Sequence, residues 1–199
     1  NTTADNNTAL GLDALNANTT GQKNVAVGAT ALDANSTGDF NTAVGYKALS
    51  ANTTADSNTA LGYGALEGNT TGTNNTAVGF FALDACTTGQ LNVAVGTYAL
   101  GAVTTGEKNI GVGYNAGVAI TDAEDNVAVG QQALEANVNG DRNIAIGTRA
   151  LDVNTASDNT AIGYEALRNN IGGADNVALG GYSLDANTSG TDNTAVGKS

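Results

Sequence analysis

Carboxylates are the side chains in this sequence whose number and spacing could do chemistry. The chain of 199 residues has 19 Asp and Glu against 7 Lys and Arg, with no His and a single Cys, Cys86. Without His it lacks the commonest general base and metal ligand. One Cys cannot build a disulfide framework or a thiolate cluster, and we expect it to be a small buried hydrophobe. Acid–base work or calcium binding by paired carboxylates therefore remains the chemistry to weigh.

The acids belong to a tandem repeat of 17 residues. An Asn opens each unit, and the spacing changes only once, to 16 residues, between Asn143 and Asn159. The unit reads approximately N-(T/V/I)-A-(V/L/I)-G-x-x-A-L-x-A-N-T-T-G-x-x, and its residues are called positions 1 to 17. The array divides into a partial coil 1–6, complete coils that begin at residues 7, 24, 41, 58, 75, 92, 109, 126, 143, 159 and 176, and a partial coil 193–199.

Glycines and turn residues predict an all-β solenoid of about eleven to twelve coils. Position 5 is Gly in every unit, which requires either positive φ or an approach too close for a Cβ. Position 15 is Gly in most units, with Ala55, Ala123 and Ser157 as the exceptions. We expect a short strand over positions 1–5, a bend, a second short strand or extended run over positions 8–12, and a Thr-Thr-Gly turn. The five helix-friendly residues between the Gly and the Thr pair are too few for a helix.

Alternation within the first strand puts positions 2 and 4 on one face and position 3 on the other. Position 4 is Val, Leu or Ile throughout, so we expect it to be an inward ladder that packs against the Leu of position 9. Positions 3 and 8 are almost always Ala. Such small residues either let a neighbouring subunit approach closely, which would predict a homo-oligomer, or simply fill a narrow monomeric roll.

The charge and the hydropathy pattern exclude several classes of partner. A formal net charge of −12 argues against binding to nucleic acid or to an anionic membrane surface. No apolar run reaches the length of a membrane helix, so we predict no membrane insertion. There is also no basic and apolar leader at the N-terminus, as expected of a mature or internal segment. We predict no cofactor and no enzyme activity.

Two sets of recurring polar residues have a structural and a functional interpretation. Acids recur at position 10, where a solvated edge is the simple interpretation and calcium binding the alternative. Asn recurs at positions 1 and 12, where stacked amides would hydrogen-bond along a solenoid. Some position-12 residues also fit the N-glycosylation sequon. The recurring acids are Asp33, Glu67, Asp84, Glu135, Asp152 and Asp185, and the sequons begin at Asn18, Asn35, Asn52, Asn69 and Asn187.

The repeat departs from its consensus between residues 80 and 123. Cys86, Val103 and Ile120 replace the position-12 Asn in three successive coils. Aromatic residues gather nearby at positions 6 and 7. They predict either a local repacking of the roll with incidental surface rings or an apolar patch that binds a receptor or a neighbouring fibre. The candidate patch consists of Tyr46, Tyr63, Phe80, Phe81, Tyr98 and Tyr114.

Several units resemble a known family. The segments Asp125–Gly130, Arg142–Gly147 and Asp175–Gly180 resemble the N-S-V-A-I-G repeat of YadA-like heads of trimeric autotransporter adhesins. The unit from Asn41 to Thr54 is similar to arrays in bacterial and phage tail-fibre-domain proteins. The resemblance covers essentially the whole chain and implies a left-handed parallel β-roll, often trimeric, in a surface adhesin or fibre shaft.

The sequence therefore predicts a structural or adhesive fibre or filament segment that is extracellular, at a cell surface or on a virion. Its expected partners are copies of itself and a host receptor or glycan. The alternative is a ligand-binding β-solenoid for ice or carbohydrate, because regular Thr ladders on a solenoid can order water. However, Thr alternates with Val or Ile at position 2, and the Thr pairs fall at a turn.

Overall fold

The computed structural model describes residues 4–198, and its regular elements are three-residue β-strands, one for each coil. Each strand covers positions 2–4 of the repeat, and turns and bends fill the remainder. In chain order the strands are β1 Thr8–Leu10, β2 Val25–Val27, β3 Thr42–Val44, β4 Thr59–Leu61, β5 Thr76–Val78, β6 Val93–Val95, β7 Ile110–Val112, β8 Val127–Val129, β9 Ile144–Ile146, β10 Thr160–Ile162, β11 Val177–Leu179 and β12 Thr194–Val196.

The strands form one parallel sheet in chain order, from β1 to β12. Partners in neighbouring strands occupy the same repeat position, so that Val25 lies opposite Thr42 and Ala26 lies opposite Ala43. This register confirms the predicted all-β solenoid with a 17-residue repeat. Because parallel strands lie about 4.8 Å apart, the sheet is about 50 Å long.

The segment over positions 8–12 is neither the second short strand nor the extended run that the sequence predicted, because it folds into consecutive β-turns. Each turn is closed by an N–H that donates to the carbonyl three residues earlier. In the coil that begins at Asn41, the donor and acceptor pairs are Ala48 with Gly45 (3.3 Å), Ser50 with Lys47 (3.3 Å) and Asn52 with Leu49 (3.2 Å). Each coil therefore contains one strand followed by a series of turns.

Positive φ at positions 7 and 9 lets the turn segment bond to both neighbouring coils. Lys47 has φ 58° and Leu49 has φ 53°. The Lys47 N–H donates to Ala29 O in the preceding coil, and the Leu49 N–H donates to Ala65 O in the following coil, both at 3.1 Å. A non-glycine residue in this conformation costs about 1–3 kcal/mol. Hydrogen bonds to both neighbouring coils offset that cost.

Gly at position 5 meets both conditions that its invariance predicted. Its φ runs from 131° at Gly180 to 141° at Gly62, a region that L side chains rarely adopt. A Cβ on Gly28 would lie 2.5 Å from Gly45 O in the next coil. The end of the strand therefore turns at a point where two coils are in backbone contact.

The core is a narrow column of Ala and Leu, and the inward-facing strand residue is position 3. From Ala26 to Ala178 the position-3 residues are buried, and the Leu of position 9 packs with them. A Cβ on Gly111, at position 3, would come 2.7 Å from Leu100 Cγ, so this side of the strand faces the Leu column. The expectation that position 4 points inward is wrong, since Leu61 remains 48% exposed and Leu179 remains 41% exposed.

The Asn of position 1 closes each coil and joins it to the next. Asn24 is fully buried, and its Nδ2 donates to Gly38 O at position 15 of its own coil (2.8 Å). Its Oδ1 accepts the backbone N–H of Asn41, the first residue of the next coil (2.8 Å). The predicted structural role of the Asn ladder is confirmed, because both ends of the amide are used inside the roll.

The Asn of position 12 forms a second buried ladder. Asn35 Nδ2 donates to Asn18 Oδ1 in the preceding coil (3.0 Å) and to Gly38 O (3.1 Å). The carbonyl of position 15 thus accepts one hydrogen bond from each ladder. This shared acceptor explains why the backbone of position 15 is held in place even where Ala55 replaces the usual Gly.

The break in this second ladder is a compensated repacking of the core. Cys86, Val103 and Ile120 are fully buried where Asn stands elsewhere, which confirms the expectation for Cys86. Gly117 replaces the Leu of position 9, and a Cβ there would lie 3.0 Å from Ile120 Cδ1. The larger Ile120 therefore occupies space that a Leu would fill. These core substitutions support the local-repacking interpretation.

The 16-residue coil loses one residue from its Thr-Thr turn. Asn143 Nδ2 and Asn154 Nδ2 both donate to Ala156 O, at 2.9 and 2.7 Å. Ala156 is therefore the position-15 residue, and the assignment of Ser157 to that position is wrong. The deletion lies between Thr155 and Ala156. Because the turn absorbs it, strands β9 and β10 keep their register, with Ala145 opposite Ala161.

We expect Gly28→Ala to destabilise the roll by about 2–4 kcal/mol, because the new Cβ combines a strained φ with a backbone collision. Thermal or urea unfolding measures the change. The matched control is Gly172→Ala, where no atom lies within 4 Å of the added Cβ and no positive φ is required. Equal stability of the two variants would contradict the structural role of position 5.

Candidate functional site

The outer face of the sheet carries a row of Val, Leu and Ile at position 4 beside a mixed row of Thr, Val and Ile at position 2. Positions 2 and 4 point away from the core, and many of their residues are more than a third exposed, including Leu61, Val95, Ile110, Ile146 and Leu179. Sequence reasoning missed this face, because an unbroken row of Val, Leu and Ile is normally typical of a core. With three residues per strand and twelve strands, the face is about 10 Å by about 50 Å, or about 500 Å².

No charged residue occupies positions 2 or 4 in any of the twelve strands, although the chain has a formal net charge of −12. Position 2 is Thr, Val or Ile, and position 4 is Val, Leu or Ile. The charge of the protein is therefore carried entirely by other faces. An uncharged apolar face of this size on one chain is typical of a protein interaction surface.

The predicted aromatic patch is largely brought together. Tyr46, Tyr63 and Phe80 stack at position 6, with ring centroids 5.1 Å apart for the first pair and 5.3 Å for the second. Phe81 and Tyr98 lie beside them at position 7 and stack on each other at 6.0 Å. These five residues are called the aromatic cluster.

Two features of the aromatic residues differ from the predicted patch. Tyr114 is 50% exposed, but no ring contact joins it to the cluster. Tyr164 and Tyr182 form a second contact that sequence reasoning missed, with centroids 5.3 Å apart. The sequence pattern that predicted the patch, aromatic residues at position 6 or 7 of successive coils, also applies to this pair.

The stacking direction limits what the cluster can bind. The rings of Tyr63 and Phe80 are tilted by only 25°, so one face of each ring is turned towards the other ring. A sugar ring packs on an open aromatic face, and few such faces remain inside the stack. The edges of the rings and the flanking surface are more suited to contact with a protein side chain.

Gly64 makes room for the cluster at position 7. A Cβ on Gly64 would lie 2.5 Å from Phe81 Cε1, so the Phe81 ring lies over this glycine. Phe81 also meets Phe80 edge to face, with centroids 4.6 Å apart. The rings of the cluster therefore pack against one another in a defined geometry at the surface.

The position-10 acids lie beside the residues of position 7 and are only partly solvated. Desolvation raises the pKa of Asp33, Asp84 and Asp152 above the ordinary value. Some carboxylates along this face are paired, as in Lys47 with Glu67 at 2.9 Å. The interpretation as a freely solvated edge is therefore too simple for these residues.

Metal and thiol chemistry find no assembled site in the part of the chain that the structure describes. Within residues 4–198, no group of three or more His, Cys, Asp or Glu side chains could hold a metal ion. Burial raises the pKa of the Cys86 thiol to about 11, and its Sγ donates to Gly89 O at 3.5 Å. The thiol is therefore protonated and enclosed at neutral pH. No helix in the same range is long and apolar enough to cross a membrane.

The sequons fall inside the roll. Asn35, Asn52 and Asn69 are fully buried and Asn18 is 1% exposed, and their amide nitrogens donate hydrogen bonds within the roll. Asn187 Nδ2 donates to Asn170 Oδ1 at 2.9 Å. N-glycosylation at these residues is not supported by the fold, because the nitrogen that would carry the glycan is already used in the coil.

Comparisons with known proteins give the chain no family assignment. No family model matches it, and no curated protein or solved structure is significantly similar to it. The resemblance to YadA-like heads and to tail-fibre repeats therefore stays a prediction.

We expect Asp84→Asn to stabilise the fold at pH 7. A raised folded-state pKa contributes stability below the ordinary value of 3.8 that is lost as the pH rises through the folded-state pKa. The amide removes that penalty, so the gain should vanish below pH 3.8. Melting temperatures measured between pH 3 and pH 8 give the profile.

Asp158→Asn is a control in which we expect the opposite change in stability at pH 7. The Arg142 guanidinium lowers the pKa of Asp158, so the carboxylate contributes stability above pH 3.8 that is lost on acidification. This variant should be less stable than the wild type at pH 7 and equal to it in acid. A loss of stability at pH 7 for Asp84→Asn would contradict the desolvation argument.

Proposed function

We propose that the chain is a structural and adhesive rod, a segment of an extracellular fibre or filament at a cell surface or on a virion. One observation carries the proposal: twelve strands stack in chain order and in one register. Each coil contacts its neighbours along the sequence, so the length of the chain sets the length of the object. The resemblance to YadA-like heads and tail-fibre shafts supports the same role.

We further propose that copies of the chain associate through the outer face of the sheet. Two copies that meet there would cover about 1,000 Å² in total, the lower limit for a specific interface. Association elsewhere would bring together surfaces that share a net negative charge. The small Ala residues no longer support oligomerisation, because they point into the core.

Ice is the second candidate for the same face. Thr42, Thr59 and Thr76 lie on neighbouring strands and point outward, beside the aliphatic residues of position 4. The alternation of Thr with Val along position 2 interrupts the row of hydroxyls. The row of position 4, which is Val, Leu or Ile in every strand, favours a protein partner over ice.

Deletion of one whole coil tests the rod. We expect removal of residues 58–74 to shorten the particle by about 4.8 Å, since the flanking strands regain the same pairing. Small-angle X-ray scattering measures the length, and circular dichroism checks the β-structure. Removal of residues 58–65, half a coil, is the control and should lower the melting temperature sharply. A compact particle whose length does not change when a coil is removed would contradict the proposal.

A charge on the sheet face tests association. We expect Val95→Lys to convert multi-copy assemblies into a single chain of 19.6 kDa in sedimentation equilibrium, because a buried unpaired charge opposes the contact. Thr105→Lys, on the exposed turn of the same coil, should leave the assembly intact. A wild type that remains one chain at tens of micromolar would exclude self-association. Thermal hysteresis in that case, lost in Val95→Lys, would assign the face to ice.

A further inference from the structure

Two acids of position 10 accept a hydrogen bond from the preceding coil. In both, the donor is the position-7 side chain 20 residues earlier. Lys47 Nζ lies 2.9 Å from Glu67 Oε1, and Asn115 Nδ2 donates to Glu135 Oε1 at 3.0 Å. Where this donor is present, it neutralises or hydrogen-bonds a carboxylate that the roll has partly removed from water.

Asp84 lacks this donor. The residue 20 positions earlier is Gly64, which has no side chain, and the Phe81 ring lies over it. Gly101, the position-10 residue of the next coil, also has no side chain, and a Cβ there would be 3.4 Å from both Asp84 Oδ1 and Tyr98 O. No side chain at either position can donate to Asp84, and Asp84 Oδ1 and the Tyr98 carbonyl both lie close to Gly101.

Asp84 also differs from the other desolvated acids in its charged neighbours. A like charge raises the pKa of the other two as well, from Asp13 on Asp33 and from Glu135 on Asp152. Each of those two also has a cation that lowers its pKa, Lys47 for Asp33 and Arg168 with Arg149 for Asp152. For Asp84 the charged neighbour that contributes is Glu67, which raises the pKa further. Burial and a like charge thus act on this carboxylate without a compensating cation.

Aromatic rings in this chain already accept cations. Lys23 Nζ lies 4.7 Å above the centroid of the Phe40 ring, and Lys47 Nζ lies 5.9 Å from that of Tyr46. The negative face of an aromatic ring attracts a cation that lies within about 6 Å of its centroid. At the other end of the cluster, Phe80 and Tyr98 are 43% and 39% exposed.

We propose that the aromatic cluster and Asp84 form a docking site for an arginine or lysine side chain of a partner protein. The cation would supply the charge that this coil lacks, and its aliphatic stem would cover the exposed edges of the rings. Charge complementarity identifies the partner, because the chain has a net charge of −12 and the site combines acids with rings. A neutral glycan would leave the carboxylate uncompensated.

This site deepens the proposed adhesive role by giving the chemistry of a recognised partner, and it rests on that role only for its biological context. The proposal of a rod and the proposal of a docking site can be contradicted independently. Scattering from the coil-deletion series reports on the rod, whereas titration of the intact chain reports on the docking site.

The test is a titration of the full chain with the peptide acetyl-Gly-Ala-Arg-Ala-Gly-amide, followed by NMR of the aromatic ring signals. We expect saturable shifts in the rings of Tyr63, Phe80 and Tyr98. The peptide with citrulline in place of arginine has the same shape without the charge and should bind about tenfold more weakly.

Three variants separate the site from general attraction to an acidic protein. Asp84→Asn, expected to be folded and more stable, should lose about tenfold in affinity, and Tyr98→Leu should also weaken binding. Asp152→Asn carries the same change in net charge on the same ladder and should bind as the wild type. Equal losses in Asp84→Asn and Asp152→Asn, or unchanged binding in Asp84→Asn, would overturn the proposal.

Discussion

The hydrogen bonds of the position-1 Asn hold the rest of the structure in place. Within one coil, Asn24 Nδ2 reaches Gly38 O and closes the loop between the strand and the final turn. Between coils, Asn24 Oδ1 accepts the N–H of Asn41 and fixes where the next strand begins. One buried amide therefore sets both the circumference of a coil and the register of the stack. Its removal would leave buried polar backbone groups without partners.

This closure explains why the core can consist of small residues. Each coil contributes little apolar area, essentially one Leu and two Ala, so hydrophobic burial alone would be weak. The amide ladders and the parallel strand pairing repeat the same favourable contacts at every interface between coils. Gly28 then permits the close backbone approach on which that repetition depends. The interior is consequently filled by position 3 and position 9, and the larger aliphatic residues of the strand are left outside.

The elements that could be predicted from the sequence are those whose residue type has a single physical explanation. Gly28 and its equivalents predicted a special φ with a close contact, and the Asn ladders predicted stacked amides; both are confirmed. Which side of the strand points into the core could not be predicted in the same way. Alternation separates Val27 from Ala26 but does not say which one points inward. That choice depends on Leu32, whose side chain reaches the interior only because its φ is positive, and no local signal in the sequence indicates a left-handed Leu.

The candidate sites also include one feature that could be predicted from the sequence and one that could not. The aromatic cluster was predictable because Tyr46, Tyr63 and Phe80 recur at one position of the repeat, and such residues stack whenever the register holds. The isolation of Asp84 was not predictable, because the contact between positions 7 and 10 of successive coils depends on the turn geometry.

A uniform repeat assigns different tasks to its constant and its variable positions. The outer face of the sheet keeps one character along all twelve strands, so it suits a partner with the same periodicity, which a second copy of the chain provides. The combination of the aromatic cluster with Asp84 occurs once in the array. A surface that occurs once can distinguish one partner from another, whereas a surface repeated at every coil would bind in any register. We therefore propose that the repeat mediates assembly and that its local departures mediate recognition.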